Sequence, residues 1–478
     1  MNSARNLWLA AAAMSLAGLS TAQAQAQPDA QGSDTASSRQ LTLWLETFNS
    51  ADREMLEEFN REHWPSKSPQ SVDQDLAFHG RTGGFDLLRI EEATATRTVA
   101  LVKERNSDTV ARVTFVVAAE PPHHVASLGA RVIQTPAEYT VPRLSEAALV
   151  DALGVEIDRR AELGQFSGAV LLAKDGQSIF AEAYGLADRE RGVPNTLQTQ
   201  FRNGSMNKMF TATAVLTLAQ AGKLSLDAPM GTYLTDYPNE ALASTVTIHD
   251  LLTHTGGTGD IFGPEFAANR LDLRTHQDYL DLFGERAALF GSGARYQYSN
   301  YGFVLLGAVI ERVSGQNYYD YVREHIYEPA GMTSTGSAPE EESVPGRSVG
   351  YMWSSDGAVP NTGTLPYRGM AAGGGYTTVE DLLRFASALT NHRLLDAEYT
   401  ALATTGKVDA GGARYAYGFS ESTSTGGLRW IGHGGGAPGM NGDLLIFDSG
   451  YVIAVLANMD PPAATSIANF AANRLPLP

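Results

Sequence analysis

The stretch 144–478 reads as β at both of its ends and as helix between them. Near its start, 167–173 and 178–184 are strand-like and meet through Lys174-Asp175-Gly176-Gln177. Near its end, 428–432, 444–447 and 451–456 are strand-like, and Asp448-Ser449-Gly450 supplies the last tight turn. Strands this far apart find partners only if the two ends come together. The pattern therefore predicts an α+β fold: one antiparallel sheet flanked by helices, with a mostly helical subdomain inserted. Flanking helices are expected over 144–163, where Ser145 is a cap and Leu149, Leu153 and Ile157 share a face, and over 465–474.

A second, smaller pattern precedes it. Residues 41–62 have helical spacing, with Leu45, Phe48, Met55, Leu56 and Phe59 on one side. After Gly83-Gly84 come four strand-like runs, 85–91, 97–104, 110–118 and 124–132, with Arg105-Asn106-Ser107-Asp108 as a hairpin turn. One helix plus an antiparallel meander is a small α+β domain over 41–134, loosely resembling the cystatin-like or NTF2-like layout in element order and carrying no function on that ground. Residues 27–40 are small and polar, and 135–143 contain Pro136 and Pro142, so both read as linkers. Residues 1–26 read as an export signal. Arg5 supplies the charge, Leu7 to Leu19 the apolar stretch, and Ala22-Gln23-Ala24 or Ala24-Gln25-Ala26 the cleavage site. The apolar part is shorter than the ~20 residues a membrane span needs. A periplasmic or secreted mature protein without a span is expected.

Composition excludes several function classes. The 478 residues carry a formal net charge of −18, which disfavours nucleic-acid partners. There is no cysteine, hence no thiol catalysis and no disulfide. His123-His124 follows Pro121-Pro122 without further ligands nearby and reads as a turn. Neither a metal nor an organic cofactor is expected.

Chemistry concentrates at Gly204-Ser205-Met206-Asn207-Lys208, which heads the apolar run 209–218. On a helix, Ser205 and Lys208 stand on one face a turn apart. A lysine in a poorly hydrated pocket loses proton affinity and can serve as base for a serine nucleophile. At average usage roughly two Ser-x-x-Lys spacings arise by chance in a chain this long, so a helix-initiating serine beside a solvated lysine is the plain alternative. Of the six lysines, though, only Lys208 lies three after a serine. Two later stretches offer the remaining parts. Tyr298-Ser299-Asn300 precedes an apolar helix; Tyr298 is a proton relay or phenolate, and Asn300 a donor to a substrate carbonyl. Gly432-His433-Gly434-Gly435-Gly436 follows a strand ending at Ile431; its glycines allow close backbone approach, and His433 is placed to orient Tyr298 or a substrate oxygen. Tyr237-Pro238-Asn239 repeats the Tyr-x-Asn pattern but reads as a loop. Gly346-Arg347-Ser348-Val349-Gly350 matches a nucleophile elbow in the wrong context, with a Pro- and Glu-rich loop before it and a strand after it.

In this order, Ser205-x-x-Lys208, Tyr298-x-Asn300 and His433-x-Gly435 resemble the three motifs of the serine β-lactamase and penicillin-binding-protein superfamily. The likeness is greatest to its class C-like branch of esterases, D-amino peptidases and D,D-carboxypeptidases, and it runs from about Leu144 to the C-terminus. Residues 247–257 and 373–382 look like that family too. They imply a structural His254 and a tight bend at Gly373 to Gly375 before a Thr378-capped helix.

The resemblance implies that Ser205 forms an acyl-enzyme and that Lys208 is general base. It makes Tyr298 the relay and acid for the leaving group, Asn300 and His433 substrate contacts, and Gly435 part of the substrate-binding strand. The N–H groups of Ser205 and Gly436 would receive the oxyanion. The chain departs from β-lactamases at the third motif, where His433 and Gly434 replace the usual Lys and Thr, and no class A-type Glu loop is evident. That favours small esters, amides or D-amino-acid peptides as substrates. A D,D-carboxypeptidase, a weak β-lactamase and a silent cell-wall-peptide-binding protein are the alternatives.

Overall fold

The computed structural model describes residues 34–68, 70–354 and 357–477. The export stretch 1–26 lies outside the described residues. Among those residues, no helix is long and apolar enough to cross a membrane.

The main sheet has eight strands, each antiparallel to its neighbour. Its spatial order is Val408–Asp409, Arg414–Tyr415, Ser420–Thr423, Arg429–Ala437, Met440–Phe447, Tyr451–Ala457, Gly168–Lys174 and Gln177–Tyr184. The two ends of the stretch meet where Tyr451 pairs with Lys174 and Ala457 with Gly168. Every residue of Met440–Phe447 and Tyr451–Ala457 is buried, as continuous apolar runs covered on both faces require. One face packs Leu172, Ile453 and Val455 against the helices Glu146–Glu162 and Ala463–Arg474. The other packs Leu171, Leu444 and Leu456 against the helical subdomain.

The helix Asn207–Gln220 lies between that second face and the subdomain. Its sequence is apolar on all sides, and only Thr217 and Gln220 escape burial. A helix without a polar face has to be surrounded. Each fully buried Leu, Val or Phe on it contributes about 1.5–3 kcal/mol.

Gly432 to Gly436 are not a loop after a strand. They lie inside Arg429–Ala437, in register with Met440–Phe447 as far as Ala437 opposite Met440. Four glycines around one histidine have little strand preference of their own, and the pairing with an apolar neighbour imposes it. On the other side, Ser420–Thr423 pairs only as far as Gly432. The edge from His433 to Ala437 is therefore open, and Gly434 and Gly436 are exposed along it.

The N-terminal unit contains a four-stranded meander, Phe85–Ala93, Arg97–Glu104, Val110–Val117 and Val125–Ile133, in sequential order. The single helix expected is three: Ala36–Ser50, Arg53–His63 and Ser71–Thr82. The first starts inside the stretch read as a linker, because the Thr35 side chain caps it and Ser37 bonds to Thr98 in the sheet. It stops at Ala51, in a left-handed conformation, and Asp52 caps the next helix. Leu41, Trp44, Phe48, Phe85 and Phe115 form this unit's own core. Its hairpin turn docks on the two helices behind the main sheet. Arg474 Nη1 donates to Asp108 Oδ2 at 2.6 Å, Asn473 to the same oxygen at 3.3 Å, and Arg160 to the Asn106 carbonyl. That is the face away from Ser205, so these contacts leave the cleft uncovered.

Candidate active site

Ser205 stands on a single 3-10 turn, Gly204–Met206, that runs into the helix Asn207–Gln220. No side chain caps this helix, so Ser205 is not a helix-initiating residue. Lys208 is fully buried one turn on. Its Nζ lies 3.3 Å from Ser205 Oγ and 2.8 Å from Asn300 Oδ1, and it also donates to the Ala372 carbonyl. The Tyr298 ring centroid is 4.7 Å away. Burial drives the ammonium's pKa down to about 7, against the pull of the Asp260 carboxylate. Near neutral pH much of Lys208 is thus an amine, whose lone pair can accept the Ser205 hydroxyl proton.

Tyr298-Ser299-Asn300 closes on this pair from the helical subdomain. The Tyr298 phenol lies close enough to the Ser205 side chain for the serine to favour its ionised form slightly. Burial holds the phenol well above its ordinary pKa, so a standing phenolate is disfavoured and the neutral hydroxyl is the form that can relay a proton. The Asn300 amide is oriented by its partners: Oδ1 faces a donor, Lys208, and Nδ2 donates to Asp260 Oδ2 at 3.2 Å. Only the second N–H of Nδ2 is left for a substrate carbonyl. Asp260 was not legible in the sequence. It lies 40 residues before Asn300, and no local motif sets it apart from the other 52 acidic residues. His254 packs beneath Tyr298, ring centroids 4.3 Å apart, and its Nδ1 accepts the Ser299 N–H at 3.1 Å.

The glycine strand forms the opposite wall. A Cβ on Gly435 would lie 2.3 Å from the Asn203 carbonyl oxygen, and one on Gly204, whose φ is +52°, would lie 3.3 Å from the Gly436 nitrogen. Only glycines let the serine turn and this strand approach so closely. His433 does not orient Tyr298. Its Nδ1–H donates to the Gly434 carbonyl at 2.6 Å, and its Nε2 accepts from the Tyr415 hydroxyl at 3.1 Å. Both ring nitrogens are occupied, and burial, with Lys208 nearby, pushes the pKa down to about 4. The side chain is a neutral, fixed imidazole. Tyr415 is a second residue with no local motif to mark it in the sequence.

The rival motifs fall elsewhere. Tyr237 pairs with the Tyr301 hydroxyl at 3.2 Å in the helical core. Ser348 is buried against the Gln200 carbonyl before the strand Tyr351–Ser354. His123 faces the Ala118 carbonyl in its turn. Gly373 to Gly375 do make a bend, and it backs the serine turn through Gly374 N–H to Gly204 O at 3.2 Å. Thr378 caps the helix that follows, accepting from Asp381 N–H.

A nucleophile turn, a buried lysine and a glycine strand on one sheet can support acyl transfer. Comparison with known proteins agrees with that geometry: the model of the beta-lactamase family matches residues 155–476. This chain belongs to the beta-lactamase family. Esterase EstB of Burkholderia gladioli, a relative, is 34% identical over 227 residues, 44% of this chain and 57% of EstB. The chain spans about half the length of such relatives. Among solved structures, a penicillin-binding protein from Bacillus halodurans is 33% identical with a TM-score of 0.59, over 65% of this chain and 97% of that one. A D-stereospecific amidohydrolase from Streptomyces is 27% identical with a TM-score of 0.57, over 69% and 98%. The antiparallel sheet and the helical subdomain expected of this fold are both present, and its relatives include an esterase.

Proposed function

We propose that this protein is an exported hydrolase that cleaves small neutral esters or D-amino-acid amides and peptides through an acyl-enzyme on Ser205. The observation that carries the reading is Lys208: a fully buried amine 3.3 Å from Ser205 Oγ, its pKa brought down to about 7. Lys208 takes the hydroxyl proton as Oγ attacks the carbonyl carbon. The N–H groups of Ser205 and Gly436 receive the developing oxyanion. The Tyr298 hydroxyl passes the proton to the leaving oxygen or nitrogen as its bond to carbon breaks. Water then attacks the acyl carbon and gives its proton to the Tyr298–Lys208 pair, which returns it to Ser205 Oγ as the acyl–Oγ bond breaks and the acid leaves. Asn300 holds the lysine and offers one N–H to the substrate. His433, Gly435 and Gly436 form the strand along which an extended substrate lies.

The neutral His433 sets the substrate class. It supplies no cation for a carboxylate at that end of the cleft, which counts against a D,D-carboxypeptidase or a β-lactamase. The esterase and the D-stereospecific amidohydrolase among the similar proteins point the same way. The N-terminal unit, from Ala36–Ser50 to Val125–Ile133, is a separate domain that docks behind the sheet.

A fluorophosphonate probe tests the nucleophile. Wild type labels and Ser205→Ala does not, while Lys208→Ala loses at least ~10² in turnover of p-nitrophenyl acetate and D-alanyl amides, the usual worth of a general base. Equal labelling of wild type and Ser205→Ala would move the nucleophile elsewhere. No labelling and no turnover in wild type would leave a binding protein.

A further inference from the structure

Asn441 stands on the strand Met440–Phe447, opposite Gly436. Its side chain is buried, 4% exposed, on the sheet face that carries the closing helix Ala463–Arg474. Oδ1 accepts the N–H of Ala464 at 2.7 Å and of Thr465 at 3.1 Å. Nδ2 donates to the Gly435 carbonyl at 2.9 Å. Two N–H donors on one side and a carbonyl on the other leave the amide one orientation. The closing helix has no side-chain cap from its own segment, so Asn441 caps it from across the fold.

The Gly435 carbonyl matters because of what it is bonded to. In a planar trans peptide, the carbonyl of Gly435 and the N–H of Gly436 point in opposite directions. The carbonyl turns toward Asn441, so the N–H turns toward the open edge, beside Gly204 and the serine turn. Beyond the ladder with Met440–Phe447, few contacts hold this plane. Gly434, Gly435 and Gly436 carry no side chains, Gly435 stands opposite Gly442, which has none either, and Ser420–Thr423 does not extend past Gly432. Glycine explores backbone conformations that other residues avoid.

We propose that Asn441 is a positioning residue for the reaction: by holding the Gly435 carbonyl against the capped end of the closing helix, it aims the Gly436 N–H at the oxyanion. This rests on the reading above that Gly436 N–H receives the oxyanion. Asn441 touches no substrate. It acts through one peptide plane and fixes that plane to a helix rather than to a loop.

The test is Asn441→Leu, which keeps the volume and removes every hydrogen bond of the side chain. Asn441→Ser is the second variant, one atom too short to bridge Gly435 and the helix, for use if the leucine protein does not fold. Thr465→Val is the control that disturbs the same helix end and leaves the Gly435 bond in place. Full-length proteins are compared for kcat and KM on p-nitrophenyl acetate, for affinity to phenylboronic acid, which forms a tetrahedral adduct on serine, and for circular dichroism. The expected result for a folded Asn441 variant is a ~10- to 100-fold fall in kcat with KM within about twofold, since removing one oxyanion donor outright costs ~10²–10³. Boronate affinity falls in parallel, the pH limb set by Lys208 does not move, and Thr465→Val retains wild-type kcat. A folded variant that keeps kcat and boronate affinity within about twofold overturns the proposal, as does a loss carried by KM or by a shifted pH limb. Failure of wild type to acylate at Ser205 would instead sink the catalytic reading beneath it.

Discussion

Lys208 Nζ and Asn300 Oδ1 lie 2.8 Å apart in the interior, and the other end of the Asn300 amide is held by Asp260, an exposed carboxylate. A surface charge thereby acts on a buried amine across one amide. With the Lys208 pKa near 7, kcat/KM should rise with pH through about 7 and then level, because the base works only when unprotonated. Asp260 favours the ammonium, so Asp260→Asn should carry that limb to lower pH. A pH–rate profile of the two proteins checks it. An unmoved limb, or one moved upward, contradicts the coupling.

The same lysine makes stability pH-dependent. Its folded pKa of about 7 lies below its ordinary 10.5, so between those values the unfolded chain binds more protons than the folded one. Stability from this group therefore increases with pH across that window, at up to ~1.4 kcal/mol per pH unit, and is flat outside it. Thermal midpoints from pH 7 to 10 should rise more steeply for wild type than for Lys208→Met. Parallel curves would mean that Lys208 is charged in the folded state.

His433 should not titrate in the neutral range. Its pKa is pushed down to about 4, and its two hydrogen bonds fix the Nδ1–H form. Nitrogen-15 spectra of its ring should keep one neutral tautomer from pH 6 to 9. Imidazolium shifts at pH 6 would count against the neutral wall of the cleft and against neutral substrates with it.

Gly435→Ala should cost at least ~10² in kcat/KM, the scale of a displacement of about 1 Å at a reacting centre. The added Cβ meets backbone, the Asn203 carbonyl oxygen at 2.3 Å, so the serine turn itself has to give way. Gly434→Ala is the comparison: its Cβ approaches no atom closer than 3.4 Å and should cost far less. Similar losses in the two assays would show that close packing of turn and strand does not matter.

Asp108→Ala should loosen the N-terminal unit and leave hydrolysis of small esters within about twofold. The bonds it breaks to Arg474 and Asn473 are on the far face of the sheet and are worth about 1–3 kcal/mol. Faster proteolysis between the units with unchanged kcat is the expected pair of results. A large fall in kcat would show that the docked unit reaches the cleft through the sheet.

Much of the fold could be read from periodicity, because each element carries its own pattern. The apolar runs 167–173 and 451–456 are local signals, and burial on both faces is what such runs require. Ser205, Lys208, Tyr298, Asn300 and the glycine strand were also legible, and the structure brings them within reach of one another. What escaped was set by distant partners. The helix break at Ala51 interrupts an apolar stripe that continues on both sides of it, so spacing alone carries through. Asp260, Tyr415 and Asn441 are ordinary residues in ordinary contexts. Each is defined by what it faces, at 40, 18 and 6 positions along the chain.

The pairing of Tyr451–Ala457 with Gly168–Lys174 also fixes an order of events in time. During synthesis, Ser205 and Lys208 emerge more than two hundred residues before the strands that complete their surroundings. Until Arg429–Ala437 and its two successors are made, the glycine wall is missing and Lys208 has a solvated neighbour on that side. The nascent chain accordingly carries an ordinary lysine beside an ordinary serine. The burial that lowers the Lys208 pKa is complete only once Arg429–Ala437, Met440–Phe447 and Tyr451–Ala457 have folded back onto Gly168–Lys174.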